Sequence, residues 1–240
     1  MDLVKTIITP KLSTVTMVLA VMIEGGSGSL LSSAVAQSSP ESVLLSSSIE
    51  TNPEALFEQG VSQGEAGNYQ LAVGLFSQVI ALSPLSAEAY YNRGLSFDRL
   101  GEVEQALADY SQALKLDQEY VSAYINRGNL YSQQGNHEQA VKDFSRAILF
   151  DPNRYRAYYN RANSYFQLGR YQQAIADYNF VLVLKPDYID AIYNRGLTYY
   201  RLGELDRSRQ DLFQAAQSYL NRGDRASYLE ALERITDLAL

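Results

Sequence analysis

The stretch AEAYYNRGLSFDRLGEVEQALADYSQALKLDQEY, residues 87–120, decides how this chain is read. Its first half spaces Tyr90, Arg93, Gly94 and Phe97 at i, i+3, i+4 and i+7, the stripe of an amphipathic helix. Its second half continues the stripe with Ala106, Tyr110 and Ala113. Between the halves, Gly101 stands where the first helix must stop and turn. Two amphipathic helices joined by a tight turn are therefore predicted. The small Gly94 and Ala106 let them approach closely while the aromatic side chains fill the gaps between them.

Working outward, the pattern returns every 34 residues. Arg93, Arg127, Arg161 and Arg195 keep that interval, each preceded by an Asn. Five copies result: 53–86, 87–120, 121–154, 155–188 and 189–222. Tyr90, Tyr124 and Tyr158 form one column, Phe97, Tyr131, Tyr165 and Tyr199 another. Ala106, Ala140 and Ala174, then Tyr110, Phe144 and Tyr178, mark the second helix, and Pro84, Pro152 and Pro186 close three copies. The end copies depart from the pattern. The first has Leu56 and Gln59 for the aromatic residue and the Arg, and the fifth has Ile192, Ser208 and Leu212 at otherwise aromatic, Ala and aromatic positions. Asn52-Pro53 is a well-formed helix start. After Gly223-Asp224, residues Leu229, Leu232, Ile235 and Leu238 predict one more helix, with Arg225, Glu230, Glu233, Arg234 and Asp237 on its polar outer face.

These positions resemble the tetratricopeptide repeat, whose pattern W-x2-L-G-x2-Y, A-x3-F and a terminal Pro recurs every 34 residues. Tyr stands here where the family has Trp. The resemblance implies an all-α fold: a right-handed superhelical solenoid of five helix-turn-helix repeats, eleven helices in all. Residues 223–240 would then form a capping helix over the exposed last repeat.

The N-terminal part reads differently. Lys5 and Lys11 precede the apolar run Leu12–Ile23, and Ala34-Val35-Ala36 is a small-residue cleavage site before Gln37. Residues 1–36 are expected to be a signal peptide, because the run is short against the roughly 20 residues of a membrane span. Residues 37–52 read as a Ser-rich linker. Cleavage would export the mature chain to a periplasm, a lumen or the outside, with no stable membrane span. Without cleavage the chain stays cytoplasmic or membrane-associated. The cluster Gly25-Gly26-Ser27-Gly28 lacks the Gly-Lys-Ser/Thr sequence of a phosphate loop.

Composition narrows the chemistry. The 240 residues include no Cys, no Trp and one His, with a formal net charge of −7. Thiolate metal sites, cysteine nucleophiles and multi-histidine zinc sites are excluded. The acidic balance argues against nucleic acid. His137 falls in a mostly apolar slot, and no nucleophile–base set is visible. The chain is read as non-enzymatic, with no cofactor or metal.

Two repeated columns remain. Sixteen residues after each Arg lies an Asp, giving Arg93 with Asp109, Arg127 with Asp143, Arg161 with Asp177, and Arg195 with Asp211. The first copy lacks both partners, so the pairs read as structural salt bridges between the two helices of one repeat. Asn92, Asn126, Asn160 and Asn194 lie about 150° away from the apolar stripe at 100° per residue. Asn129 and Asn163 share that face. In the resembling family this face is the concave groove, and Asn amides there are matched to an extended peptide's main chain. Tyr91, Tyr159 and Tyr193, with Ile125 in their column, flank the face as candidate anchors. Two alternatives stand beside this reading: the Asn residues bond a neighbouring helix, and the tyrosines are buried in the seam between first helices. A relative subclass grips chaperone C-termini through a Lys/Asn/Arg clamp. Asn126 and Arg156 match two of its positions, but Tyr91, Leu95 and Asn160 replace others, so chaperone tails are not expected as ligands. The expected function is a protein-interaction scaffold or assembly factor that binds an extended peptide. The alternative is a self-association module using convex or edge surfaces, and the oligomeric state stays open.

Overall fold

Each repeat is built as the stripe requires, from helix stops that only a few residues can provide. The computed structural model describes residues 52–237, so the readings of 1–36 and of the linker up to Thr51 fall outside it, as does Leu238. The eleven helices among the described residues are α1 (Pro53–Glu65), α2 (Tyr69–Leu82), α3 (Ala87–Leu100), α4 (Val103–Leu116), α5 (Val121–Gln133), α6 (His137–Phe150), α7 (Tyr155–Gln167), α8 (Tyr171–Leu184), α9 (Ile189–Arg201), α10 (Leu205–Asn221) and α11 (Arg225–Asp237). Odd-numbered helices α1 to α9 open a repeat and even-numbered helices close it.

Asn52 caps α1, its side chain accepting the Glu54 N–H at 3.0 Å, with Pro53 in the first turn. Within each repeat the turn between helices uses a glycine in the left-handed region. Gly135, with φ +77°, shows why. That conformation sends the Asn136 N–H back to the Tyr131 carbonyl at 2.8 Å and satisfies the frayed end of α5.

Each first helix packs on its own second helix, and that second helix packs on the first helix of the next repeat. First helices also touch along the array. The result is two layers, first helices on one side and second helices on the other, the arrangement of a solenoid. Close approach within a repeat depends on small residues. A Cβ added at Gly128 would stand 2.8 Å from the Phe144 ring. Ala106, Ala140 and Ala174 are fully buried, beside fully buried Tyr110 and Phe144 and nearly buried Tyr178.

The structure differs from the sequence reading in two places. Tyr90, Tyr124, Tyr131, Tyr165 and Tyr199, expected as core, are only half-buried, because they flank an arginine rather than fill a sealed interior. The inner stripe of α11 runs through Tyr228, Ala231, Leu232 and Ile235, and Leu229 is 53% exposed. Ala231 is fully buried; a small residue at the contact permits the closest approach of α11 and sets its rotation. Glu230, expected on the outer face, instead accepts a hydrogen bond from the Tyr193 hydroxyl at 2.8 Å.

Candidate functional site

The arginine column ties three helices together. Nε and Nη2 of each Arg donate to both carboxylate oxygens of its Asp: Arg93 to Asp109 and Arg195 to Asp211 at 2.7 and 2.8 Å, Arg127 to Asp143 at 2.8 and 2.7 Å, and Arg161 to Asp177 at 2.8 Å twice. The remaining Nη1 reaches back to the preceding repeat. It donates to the hydroxyl of Ser77, Ser111 or Ser145 at 3.0–3.1 Å, and for Arg195 to the Asn179 side-chain oxygen at 2.6 Å. Each serine in turn donates to its own helix, four residues back, at 2.7 Å. Two aromatic rings, such as Tyr124 and Tyr131, lie 5.6–5.9 Å from the guanidinium centre of Arg93, Arg127 and Arg161. The four Asp residues are buried. Hydrogen bonding to Asp109 holds the Arg93 proton more firmly than usual, while burial pushes the Asp177 carboxyl up against the pull of Arg161. The sequence reading missed the Ser77, Ser111, Ser145 and Asn179 column. Its 34-residue period was visible, sixteen residues before each Arg, but short polar side chains on a helix face have no single predicted role.

The asparagine column lies on the layer of first helices and links neighbouring repeats. Asn126 Nδ2 donates to the Tyr91 hydroxyl at 3.1 Å. Asn160 Nδ2 donates to Asn129 Oδ1 at 2.8 Å. Asn194 Nδ2 donates to the Tyr159 hydroxyl at 3.0 Å and to Asn163 Oδ1 at 3.2 Å. The choice of partner follows the preceding first helix. Where that helix offers Tyr91 or Tyr159 the amide takes the hydroxyl; where Ile125 replaces the tyrosine it takes Asn129. Before Asn92 the corresponding positions hold Phe57 and Val61, and its amide returns to the Glu88 carbonyl of its own helix at 2.8 Å.

The tyrosine column sits in the seams between repeats. Tyr91 packs on Tyr110 and Tyr120 at 5.8 and 4.7 Å between ring centroids, and Tyr159 packs edge-on against Tyr188 at 5.1 Å. Burial pushes both hydroxyls up, opposed by the hydrogen bonds of Asn126 to Tyr91, and of Asn163 and Asn194 to Tyr159. Tyr193 is tied to the last helix through Glu230. These three rings, candidate anchors in the sequence, are half-buried and engaged with protein neighbours.

What the face leaves open is a shallow depression of about 200 Å³ between α5 and α7, lined by Asn129, Ser132, Gln133, Phe144, Asn160 and Asn163. Within it Asn163 Oδ1 is taken by Asn194 and by the Tyr178 hydroxyl at 2.6 Å. The Asn129 amide nitrogen and the Asn160 side-chain oxygen make no hydrogen bond among the described residues. Exposed Glu88, Arg99, Arg156, Asp190 and Arg201 give the face mixed charge.

Sequence models of the TPR repeat match residues 97–135 and 162–203, and tetratricopeptide-repeat models match 54–86, 121–154 and 144–176. Together they cover more than half of the chain. A segment of 36 residues is 67% identical to TPR repeat-containing protein slr0751 of Synechocystis sp., 15% of this chain and 14% of that protein. Among solved structures, YrrB, described as a TPR protein with an unusual peptide-binding site, is similar with a TM-score of 0.69 at 18% identity, covering 78% of this chain and 97% of its own. MamA from Desulfovibrio magneticus RS-1 gives 0.67 at 16%, covering 72% and 97%. PilF from Pseudomonas aeruginosa gives 0.61 at 19%, covering 78% and 91%. At these identities the likeness is one of fold. Period, paired-helix packing and matched sequence models place this chain in the tetratricopeptide-repeat family.

Proposed function

We propose that this chain is a non-catalytic protein-interaction scaffold whose first-helix face receives an extended peptide. One observation carries the reading: in the depression between α5 and α7, an unspent amide donor on Asn129 lies beside an unspent acceptor on Asn160. A peptide main chain presents the complementary pair at every residue. Likeness to YrrB, a protein described as having a peptide-binding site, supports the same reading. Asn126, Asn160 and Asn194 hold neighbouring repeats in register, so the groove is stiff before a ligand arrives, which lowers the entropy lost on binding.

The test must separate binding from seam stability. Asn129→Asp keeps an oxygen acceptor for Asn160 but removes the outward N–H. Peptides selected from a displayed random library against the full chain should bind Asn129→Asp with Gln133→Ala about tenfold more weakly, a change of ~1.4 kcal/mol. The melting temperature should stay near that of the parent. Equal binding by the double variant ends the reading. Export belongs to the same proposal: the intact mass of chain recovered from the exporting cell should correspond to a start at Gln37, and a chain retaining residues 1–36 would refute it.

A further inference from the structure

The layer of second helices carries a second, chemically different surface. A depression of about 420 Å³ opens between α4, α5 and α6, and among the side chains lining it are Lys115, Arg146, Arg127, Tyr124, Phe150 and Ser111. Tyr124 and Phe150 stack in it at 6.1 Å with 20° between planes. Arg127 is committed to Asp143 and Ser111. Lys115 and Arg146 are exposed and form no ion pair among the described residues.

The repeat itself supplies the control. The position of Lys115 is held by Ala81, Leu149, Val183 and Gln217 in the other second helices, and that of Arg146 by Gln78, Gln112, Phe180 and Gln214. Only the seam between the second and third repeats brings two cations together over an aromatic floor. Further along, the same two columns turn apolar: one repeat on, Leu149 is 63% exposed and Phe180 40%, and two repeats on from Lys115, Val183 is 75% exposed. Cationic pocket and apolar patch therefore adjoin on one face: Leu149 follows Arg146 by three residues on α6, while Phe180 and Val183 lie on α8, at least one interhelix distance, about 8–10 Å, further on. An extended chain advances ~3.3 Å per residue, so at least about three residues lead from Arg146 to the apolar side chains of α8.

We propose that this outer face docks a protein segment in which an acidic residue and an apolar one stand three or more positions apart. The carboxylate enters between Lys115 and Arg146, and the apolar side chain covers Leu149, Phe180 and Val183. The argument is charge complementarity beside exposed apolar area, and it does not rest on the amide groove of the opposite layer.

The experiment titrates the full chain into fluorescein-labelled Asp-Asp-Gly-Ser-Leu-Phe and into Lys-Lys-Gly-Ser-Leu-Phe, read by fluorescence polarisation. The acidic peptide should bind and the basic one should not. Lys115→Glu with Arg146→Glu, and separately Leu149→Ser with Val183→Ser, should each weaken binding by about tenfold or more, and added salt should weaken it further. These side chains are exposed, so helical circular dichroism and melting should not change. Indifference to peptide charge would overturn the proposal, as would a loss that follows Asn129→Asp instead. So would capture of phosphatidylglycerol vesicles, or of a second copy of the chain, through Lys115 and Arg146 with no peptide bound.

Discussion

Arg127 shows how one residue can hold a repeat array together. It donates twice to Asp143 in its own repeat and once to Ser111 in the preceding one, between the rings of Tyr124 and Tyr131. The family pattern has Leu here, which packs but specifies nothing about angle. A bidentate guanidinium fixes orientation as well as distance. Removing it leaves Asp143, 5% exposed, with a buried charge and no partner. Arg127→Ala should therefore cost about 3–5 kcal/mol of unfolding free energy in urea titration. Ser111→Ala, which removes one neutral acceptor, should cost ~1 kcal/mol. If the two variants cost the same, the ion pair adds nothing beyond an ordinary hydrogen bond. The asparagines work at the same scale with a different outcome. From Asn126 onward their amides bridge to whichever tyrosine or asparagine the preceding repeat offers, so the Asn126 and Asn160 side chains contribute to stability as well as lining the face.

Between helices, the spacing is set by what stands at the crossing. Ala106, Ala140 and Ala174 occupy the contact in α4, α6 and α8, fully buried. In α10 the equivalent is Ser208, also fully buried, and its hydroxyl has no hydrogen-bond partner among the described residues. A desolvated donor without a partner destabilises by about 1–3 kcal/mol. Ser208→Ala should accordingly raise stability by ~1 kcal/mol, with a higher melting temperature, while leaving the helix spacing intact. An unchanged or lower melting temperature would mean that the hydroxyl is satisfied. The last helix obeys the same rule of close approach. Ala231 is the contact residue of α11, and Leu229 stands outside as a consequence.

At the scale of the whole molecule, the composition becomes a stability property. The chain has 19 Tyr and no Trp. Burial pushes the hydroxyls of Tyr110, Tyr120, Tyr178 and Tyr219 up, and that of Tyr188 up to about 12. An unfolded tyrosine ionises near ~10. The fold favours the neutral hydroxyl, so the unfolded chain gives up these protons first. The stabilisation is complete below pH ~10 and is lost as pH rises above it. Alkaline titration should show a cooperative tyrosinate absorbance step at 295 nm coinciding with loss of helical circular dichroism. Full ionisation of the buried tyrosines with helices intact would contradict this.

The sequence by itself determined the repeat length, the helix pairing, the glycine turns and the Arg–Asp partners, because each is local or recurs at a fixed interval. Gly101 and its mates need the left-handed region, and sixteen residues always separate Arg from Asp, so a period makes the geometry legible. Tertiary structure alone decided what neighbouring repeats do to each other. Whether Asn160 meets a tyrosine or Asn129 depends on a residue substituted one repeat earlier. Whether Tyr193 stands free or bonds Glu230 depends on how α11 rotates onto α10. Lys115 and Arg146 are 31 positions apart and become one pocket only when two second helices are stacked. Periodicity fixes what is the same in every repeat, while packing across the seams assigns a role to what differs.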